Sequence, residues 1–448
     1  MCVFIFLSAC QFGDRQIASS NTNQAVATNA NPTNQQDRFS GRYLLAISDA
    51  DMVASAYVDG KLKRSPNAKD TLSVISLPSN GQNPTVAQLN VSNSVASWPN
   101  VIAVSPDGNI AYIAETRGSA PQGVQQVKNV FTDLPAGAKV TAVNLSNPQK
   151  PTIANSLQLG RNPHNISINS EGNLLAIATD EPGKGVELVE VNGSQFGRRF
   201  TFSVKKNQGK QPGRVSDIEW HPSGRYLAVT LDDREIVFQQ VIRDAATGNM
   251  TLKPWREAVK TINFPGAGKF TADGRFYVVP SLQWWTKTNE LDYNNPPTGQ
   301  LTVIRLATNN TEFNEVVSTA TVGISPEGFD ISPDDSLIVA ANARRSHLPW
   351  EDSRLTRESS ISLVRMDKNT GRLTTVGEYK FEGIMPQGVA FDAEGKSIAV
   401  TLFDTFNPKV RQGKVEFWRV IPGENPSLEK MGTPVKVVRG SHDLALVR

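Results

Sequence analysis

A short phrase recurs seven times along this chain, and it restricts the fold more than any single residue does. Its core is a small or acidic residue, then Gly, then a run of β-formers. It reads Ser40-Gly41-Arg42-Tyr43-Leu44-Leu45, Asp107-Gly108-Asn109-Ile110-Ala111-Tyr112 and Glu171-Gly172-Asn173-Leu174-Leu175-Ala176. It returns as Ser223-Gly224-Arg225-Tyr226-Leu227-Ala228, Asp273-Gly274-Arg275-Phe276-Tyr277-Val278, Asp334-Asp335-Ser336-Leu337-Ile338-Val339 and Glu394-Gly395-Lys396-Ser397-Ile398-Ala399. The markers at 41, 108, 172, 224, 274, 335 and 395 lie 67, 64, 52, 50, 61 and 60 residues apart. Self-similarity of this kind signals a repeat architecture in which each unit buries its apolar faces against its neighbours. Seven units make a ring.

One unit shows the plan. Residues 163–168 alternate polar and apolar, the turn Asn169-Ser170-Glu171-Gly172 follows, and 173–178 form a second apolar run. Gly183-Lys184-Gly185 leads into 186–191, and Gly193 into 199–204. That pattern is four short strands with no useful helical period. Gly suits the turn because it takes φ > 0 at little cost, and Asp or Asn there can bond the local backbone. A four-stranded antiparallel sheet repeated radially is the blade of a β-propeller. The expected fold is therefore all-β, a seven-bladed propeller over 40–448. The first marker lacks a convincing inner strand before it, and Ser441-His442-Asp443-Leu444-Ala445-Leu446-Val447 repeats the pattern of 163–168. The C-terminal strand is expected to complete blade 1 and zip the ring shut.

Composition bounds the partners. The chain is 39% hydrophobic and 20% charged, with a net charge of +3 and no single-sign block, which gives no footprint for nucleic acid. Cys2 and Cys10, the two cysteines, both precede the ring, so the ring carries neither a disulfide nor thiolate chemistry. Residues 1–10 are apolar and end in Leu7-Ser8-Ala9-Cys10, which resembles the lipobox of bacterial lipoproteins, where cleavage leaves a lipidated Cys. Residues 11–39 are rich in Asn, Gln, Ser, Thr and Ala, a composition that builds no core and suits a tether. The expected location is the bacterial envelope, with membrane contact by lipid anchor only.

Loop length points to one face of the ring. The loops after second strands are long near 49–69, 115–139, 281–299 and 343–359, and long loops on a rigid scaffold carry binding. Eight residues before the markers stand Asn100, His164, Ser216, Gly266, Glu327 and Gln387, and His442 joins them by alignment. Eight residues after stand Asp49, Thr116, Asp180, Asp232, Leu282, Ala343 and Phe403. His164, Asp180 and Glu327 are thus expected at the pore mouth, with Arg214 beside Asp232. Such groups could serve as general acid and base or ligate a divalent metal. No tight ligand spacing calls for a metal, and no cofactor is expected. Polar residues hydrated in a propeller channel are the bland alternative. Trp284, Trp285 and Trp350 fall in the long loops, where they suit binding and local packing equally, and His347 could reach over the mouth. Trp220, Phe238 and Trp418 fit inter-blade core, and His221 fits a structural role in the opposite turn.

The stretches Trp98-Pro99-Asn100-Val101-Ile102-Ala103-Val104-Ser105-Pro106-Asp107-Gly108 and Ile324-Ser325-Pro326-Glu327-Gly328-Phe329-Asp330-Ile331-Ser332-Pro333-Asp334-Asp335 resemble the YVTN repeat of seven-bladed lactonase-like propellers. The resemblance spans residues 40–448. It implies, in active members, a His, a Glu and arginines on the long-loop face. Pro163-His164 followed by Asp180 matches the His-bearing blade. The Arg position of the next blade holds Ser216, with Arg214 two residues earlier; the Glu position holds Asp232; and Arg344 stands one residue beyond the later Arg position. A one-residue shift at a strand end turns a side chain to the other face. These departures favour an envelope-tethered binding or interaction module, taking a small molecule or an envelope protein on the long-loop face. The alternative is a lactone hydrolase in which His164 is the base, Asp232 or Asp180 orients it, and Arg214 or Arg344 stabilises the oxyanion. A propeller subunit of a periplasmic redox complex, its cofactor held by a partner, is a third reading.

Overall fold

The computed structural model describes residues 38–64, 67–77, 84–206, 212–232, 234–262, 264–283, 292–309, 312–407 and 409–448. They form seven antiparallel sheets, each of four strands in sequence order from the inside outward, with the first sheet the exception. That sheet runs Ser441–Val447, Tyr43–Ser48, Thr71–Ser76, Val86–Asn90. The C-terminal strand is its innermost member, in register from Tyr43 opposite Val447 to Ser48 opposite Ser441. The expected closure is present. Asp392 adds to it, accepting the Ser40 N–H at 3.1 Å and so joining the last blade to the start of the ring. Among the described residues the only helix is Ala56–Asp59, in the first long loop. The fourth sheet gains a short fifth strand, Val259–Lys260, on the strand Glu235–Arg243.

The repeated phrase works as a turn. Asp107 Oδ1 accepts the Ser105 hydroxyl at 2.6 Å and the Asn109 N–H at 3.1 Å. Asp334 and Asp273 make equivalent bonds with Ser332 and Thr271. Six of the seven markers have φ between +61° and +72°, and Asp335 is the one without Gly. Its carboxylate accepts the Ala272 N–H of the preceding blade, a bond that Gly could not make.

The core lies between blades. Tyr112, Phe238 and Tyr277 are fully enclosed, and Trp220 and Trp418 are buried as the strand pattern implied. Inner strands of adjacent blades are latched by side chains. Asp217 accepts the Gly268 N–H at 3.0 Å, Asp330 that of Phe391 at 2.8 Å, and Asp443 that of Val101 at 2.9 Å. Each satisfies a backbone donor that a strand facing the channel would leave unpaired. His221 bridges blades as expected, its ring nitrogens 2.8 Å from the Ser223 hydroxyl and 3.0 Å from the Gly274 carbonyl.

Candidate functional site

The long-loop face encloses a cavity of about 640 Å³ at the mouth of the central channel. This lies within the roughly 300–1,000 Å³ range of small-molecule sites. Its floor comes from the starts of inner strands, which contribute His164, Ser216, Glu327 and Gln387. Its walls come from the segments after second strands, which bring Arg117, Asp180 and His347. Trp98 and Phe264, with ring centroids 5.5 Å apart, and Tyr57 with Phe131, 5.4 Å apart, supply apolar surface.

On one side Asp180 organises the polar groups. Its Oδ1 takes the Arg214 Nε–H at 3.0 Å and its Oδ2 the Asn162 amide at 3.0 Å. Burial acts to raise this carboxyl, but His164, Arg214 and Asn162 together outweigh burial and hold it below the ordinary range. His164 is buried, with Nδ1 2.8 Å from the Asn162 carbonyl and Nε2 3.0 Å from the Val215 carbonyl. Only the doubly protonated ring donates to both acceptors, whereas burial lowers its pKa and favours the neutral form. In neither state does the ring present a lone pair to the cavity.

On the other side stands Glu327, only 7% exposed. Burial raises its carboxyl to about 7, partly opposed by a hydrogen bond with Gln387. It is therefore poised to exchange a proton at neutral pH. Arg117, 9% exposed, adds a cation to the wall, and its Nε has no hydrogen-bond partner. Its one hydrogen bond is a long contact of 3.5 Å from Nη1 to the Leu134 carbonyl. A buried guanidinium with donors to spare is ready to donate to an anionic or carbonyl oxygen. Arg117 follows Thr116, the residue that counting from the marker selects, and with the register shift between Glu115 and Arg117 both line the cavity.

The remaining sequence candidates lie elsewhere. Asp232 faces away from the cavity; it pairs with Lys206 and accepts the Arg214 backbone N–H at 2.8 Å. Arg344 forms an ion pair of 3.0 Å with Glu378 and does not line the cavity. Both sit at positive φ, +50° and +53°, which swings the side chain off the direction the strand pattern implies. His442 is buried, its pKa pulled down by burial to about 3, and its Nε2 donates to the Asn93 Oδ1 at 2.9 Å. Trp350 is 44% exposed and borders a separate pocket of about 140 Å³, shared with His347. Burial lowers His347 to about 4. Trp284 and Trp285 lie outside the described residues.

No protein-family model matches the chain, and no curated protein matches it by sequence. Solved structures do. A putative 6-phosphogluconolactonase from Bacteroides fragilis superposes with a TM-score of 0.60 at 16% identity, covering 91% of this chain and 98% of that one. The periplasmic gluconolactonase of Pseudomonas aeruginosa gives 0.58 at 17% identity, over 91% and 99%. A putative 6-phosphogluconolactonase from Bacteroides uniformis gives 0.57 at 14%, over 91% and 100%. The fold is that of the seven-bladed lactonase-like propellers. At these identities the likeness establishes architecture, and activity has to be argued from the site.

Proposed function

We propose that the channel mouth binds a small anionic cyclic ester, a sugar lactone or a close relative, and opens it by hydrolysis. One observation carries this reading: Arg117, Arg214 and the proton-exchanging carboxyl of Glu327 line one enclosed cavity. The choice of a cyclic ester over other electrophiles follows the descriptions of the structural neighbours. In this mechanism the arginines hold the anionic substituent and the carbonyl oxygen as negative charge develops on it. Glu327, as carboxylate, takes a proton from the attacking water. The water oxygen bonds to the carbonyl carbon, the ring C–O bond breaks, and Glu327 returns the proton to the departing ring oxygen. His164 holds the site's shape through its two carbonyl contacts.

Acid release from glucono-δ-lactone and its 6-phosphate tests the proposal. Glu327→Gln is expected to lower kcat by roughly 10²–10⁴-fold with little effect on binding. Because the base form is the carboxylate, kcat/KM should rise with pH and level off above the Glu327 pKa of about 7. Full activity in Glu327→Gln would refute the mechanism.

A non-catalytic binding module is the second reading. What favours it is that His164 is committed at both nitrogens and Arg214 is paired with Asp180. Saturable lactone or sugar-acid binding with no turnover by the wild type would decide for it.

A further inference from the structure

We propose that Asp49, Asp51 and Asp70 form a site for one Ca²⁺ ion at the root of the loop that carries Tyr57 into the cavity. Asp49 and Asp51 directly follow the strand Tyr43–Ser48, and Asp70 directly precedes Thr71–Ser76, so the three close the two ends of one long loop. One carboxylate oxygen from each lies within 4.8 Å of the others.

The second observation is an unpartnered oxygen. Asp49 is 2% exposed; its Oδ2 accepts the Val95 N–H at 2.9 Å, and its Oδ1 is buried within the cluster with no hydrogen-bond partner. Asp70 is held from behind, its Oδ1 by the Ala50 N–H at 3.0 Å and its Oδ2 by the Asn93 N–H at 3.3 Å. Backbone donors thus aim the carboxylates without neutralising them. The counter-charge is meagre. Arg64 reaches Asp51 Oδ2 at 3.8 Å, and Arg439 gives its Nη2–H to the Ala50 carbonyl at 2.7 Å rather than to a carboxylate. Three carboxylates so close together, one of them buried, need either protons or a cation.

The donor set selects the ion. It is all carboxylate oxygen, with no imidazole or thiolate, which suits a hard cation. Two oxygens on one ion can be no farther apart than twice the metal–oxygen distance, roughly 5 Å for Ca²⁺ and about 4 Å for Mg²⁺. Oxygens lying within 4.8 Å of one another are within the span that the larger ion can bridge. The site also connects to the cavity. Val95 gives its N–H to Asp49 and its carbonyl accepts the Tyr57 hydroxyl at 2.5 Å, so an ion that fixes Asp49 fixes the Tyr57 ring on the cavity wall.

The test uses the full chain stripped with EDTA and returned to metal-free buffer at neutral pH. Calorimetric titration with CaCl₂ should show one ion per chain, with Kd at or below the millimolar range of extracellular Ca²⁺ modules, about 10⁻⁴–10⁻³ M, and melting should shift upward on saturation. Asp49→Asn and Asp51→Asn should each weaken binding at least tenfold. Asp51 is partly exposed, so its variant keeps the test valid if Asp49→Asn fails to fold. Absence of both heat and melting shift with about 5 mM CaCl₂, or undiminished binding in Asp51→Asn, overturns the site. Equal or tighter binding of Mg²⁺ overturns the choice of ion.

Discussion

Raising the pH from about 6.5 to about 8.5 is expected to weaken the fold, because several of its carboxyls are protonated at neutral pH. Glu219, on the inner strand Val215–Trp220, is pushed up to about 8 by burial and by the neighbouring Asp217 carboxylate. Burial raises Glu327 to about 7, and burial with repulsion from Asp51 raises Asp70 to about 7. Unfolded, all three ionise near pH 4. Across this window the unfolded chain therefore holds none of these protons while the folded chain gives its own up. Their contribution to stability is full below the unfolded pKa and is lost as pH climbs through the folded values. At about 1.4 kcal/mol per unit, the loss is about 2 kcal/mol for Glu219 and about 1 kcal/mol for each of the others, about 4 kcal/mol in all. Channel water reaches Glu219, so this is an upper bound. With an unfolding entropy of about 2.1 cal/mol/K per residue over about 400 residues, the melting temperature should fall by about 4–5 °C. On the acid side the histidines act in the opposite sense. His164 and His221 are lowered, His347 lies at about 4 and His442 at about 3, so the unfolded chain takes up their protons first below about pH 6.5. The histidines therefore oppose the carboxyls on the acid side, and the stability maximum should lie below pH 6.5. Differential scanning calorimetry in EDTA at fixed ionic strength measures the profile, and Glu219→Gln should remove about half of the alkaline loss. A melting temperature that is flat or rises from pH 6.5 to 8.5 would refute the argument, as would a Glu219→Gln variant that keeps the full slope.

Deleting 441–448 strips the inner strand from blade 1, with six paired positions, buried Val447 and Leu444, and the Asp443 latch to Val101. Burial of the two side chains alone is worth roughly 1.5–3 kcal/mol each, so the total rivals the whole stability of a domain. The truncated chain should show no cooperative melt, and an unchanged melting temperature would sink the closure argument. The Leu7-Ser8-Ala9-Cys10 pattern, in a segment outside the described residues, predicts acyl chains on Cys10 and partition into detergent. Mass spectrometry of the N-terminal peptide checks this, and a Cys10→Ser variant that still fractionates with membranes would count against it.

The ring was legible because its signal is local and repeated. A turn such as Ser105-Pro106-Asp107-Gly108 closes on its own side-chain bonds and positive φ, so seven copies fix seven hairpins before any tertiary contact is considered. The site was legible where strands run regularly. Counting back from the marker reached His164, Glu327 and Gln387, and counting forward reached Asp180, and all four line the cavity. The count fails where the alternation breaks. In the second blade the count reaches Thr116, which lines the cavity, but a bulge between Glu115 and Arg117 brings the arginine there as well, and a period-two reading cannot see a bulge. Left-handed residues at Asp232 and Arg344 have the same consequence in reverse, sending expected site residues outward. His442 occupies the matching column of blade 1, yet Asn93 returns from the next connection to claim its ring. The Asp49, Asp51 and Asp70 cluster depends on a loop of some twenty residues folding back on its own start, and no local pattern encodes that return.

The channel also divides its charges by depth, and the division bears on what it can bind. At the long-loop mouth Arg117 and Arg214 face the cavity with Asp180 and Glu327. Toward the opposite opening, of about 470 Å³, the lining carries Glu219, Asp330 and Asp443 against the cation Lys269, which pairs with Asp330 at 2.8 Å. Asp330 and Asp443 hold backbone donors of the neighbouring blade and so belong to the ring's construction. An anion at the mouth meets Arg117 with donors to spare, whereas the deeper Lys269 is already paired with Asp330. Removing an inner-strand carboxylate leaves a buried N–H unpaired and acts on stability, at roughly 1–3 kcal/mol. Removing Arg117, whose hold on the backbone is the long contact to the Leu134 carbonyl, leaves those inner-strand latches intact and, under the proposed function, acts on the ligand. Stability and ligand chemistry are therefore separable along one axis of the molecule.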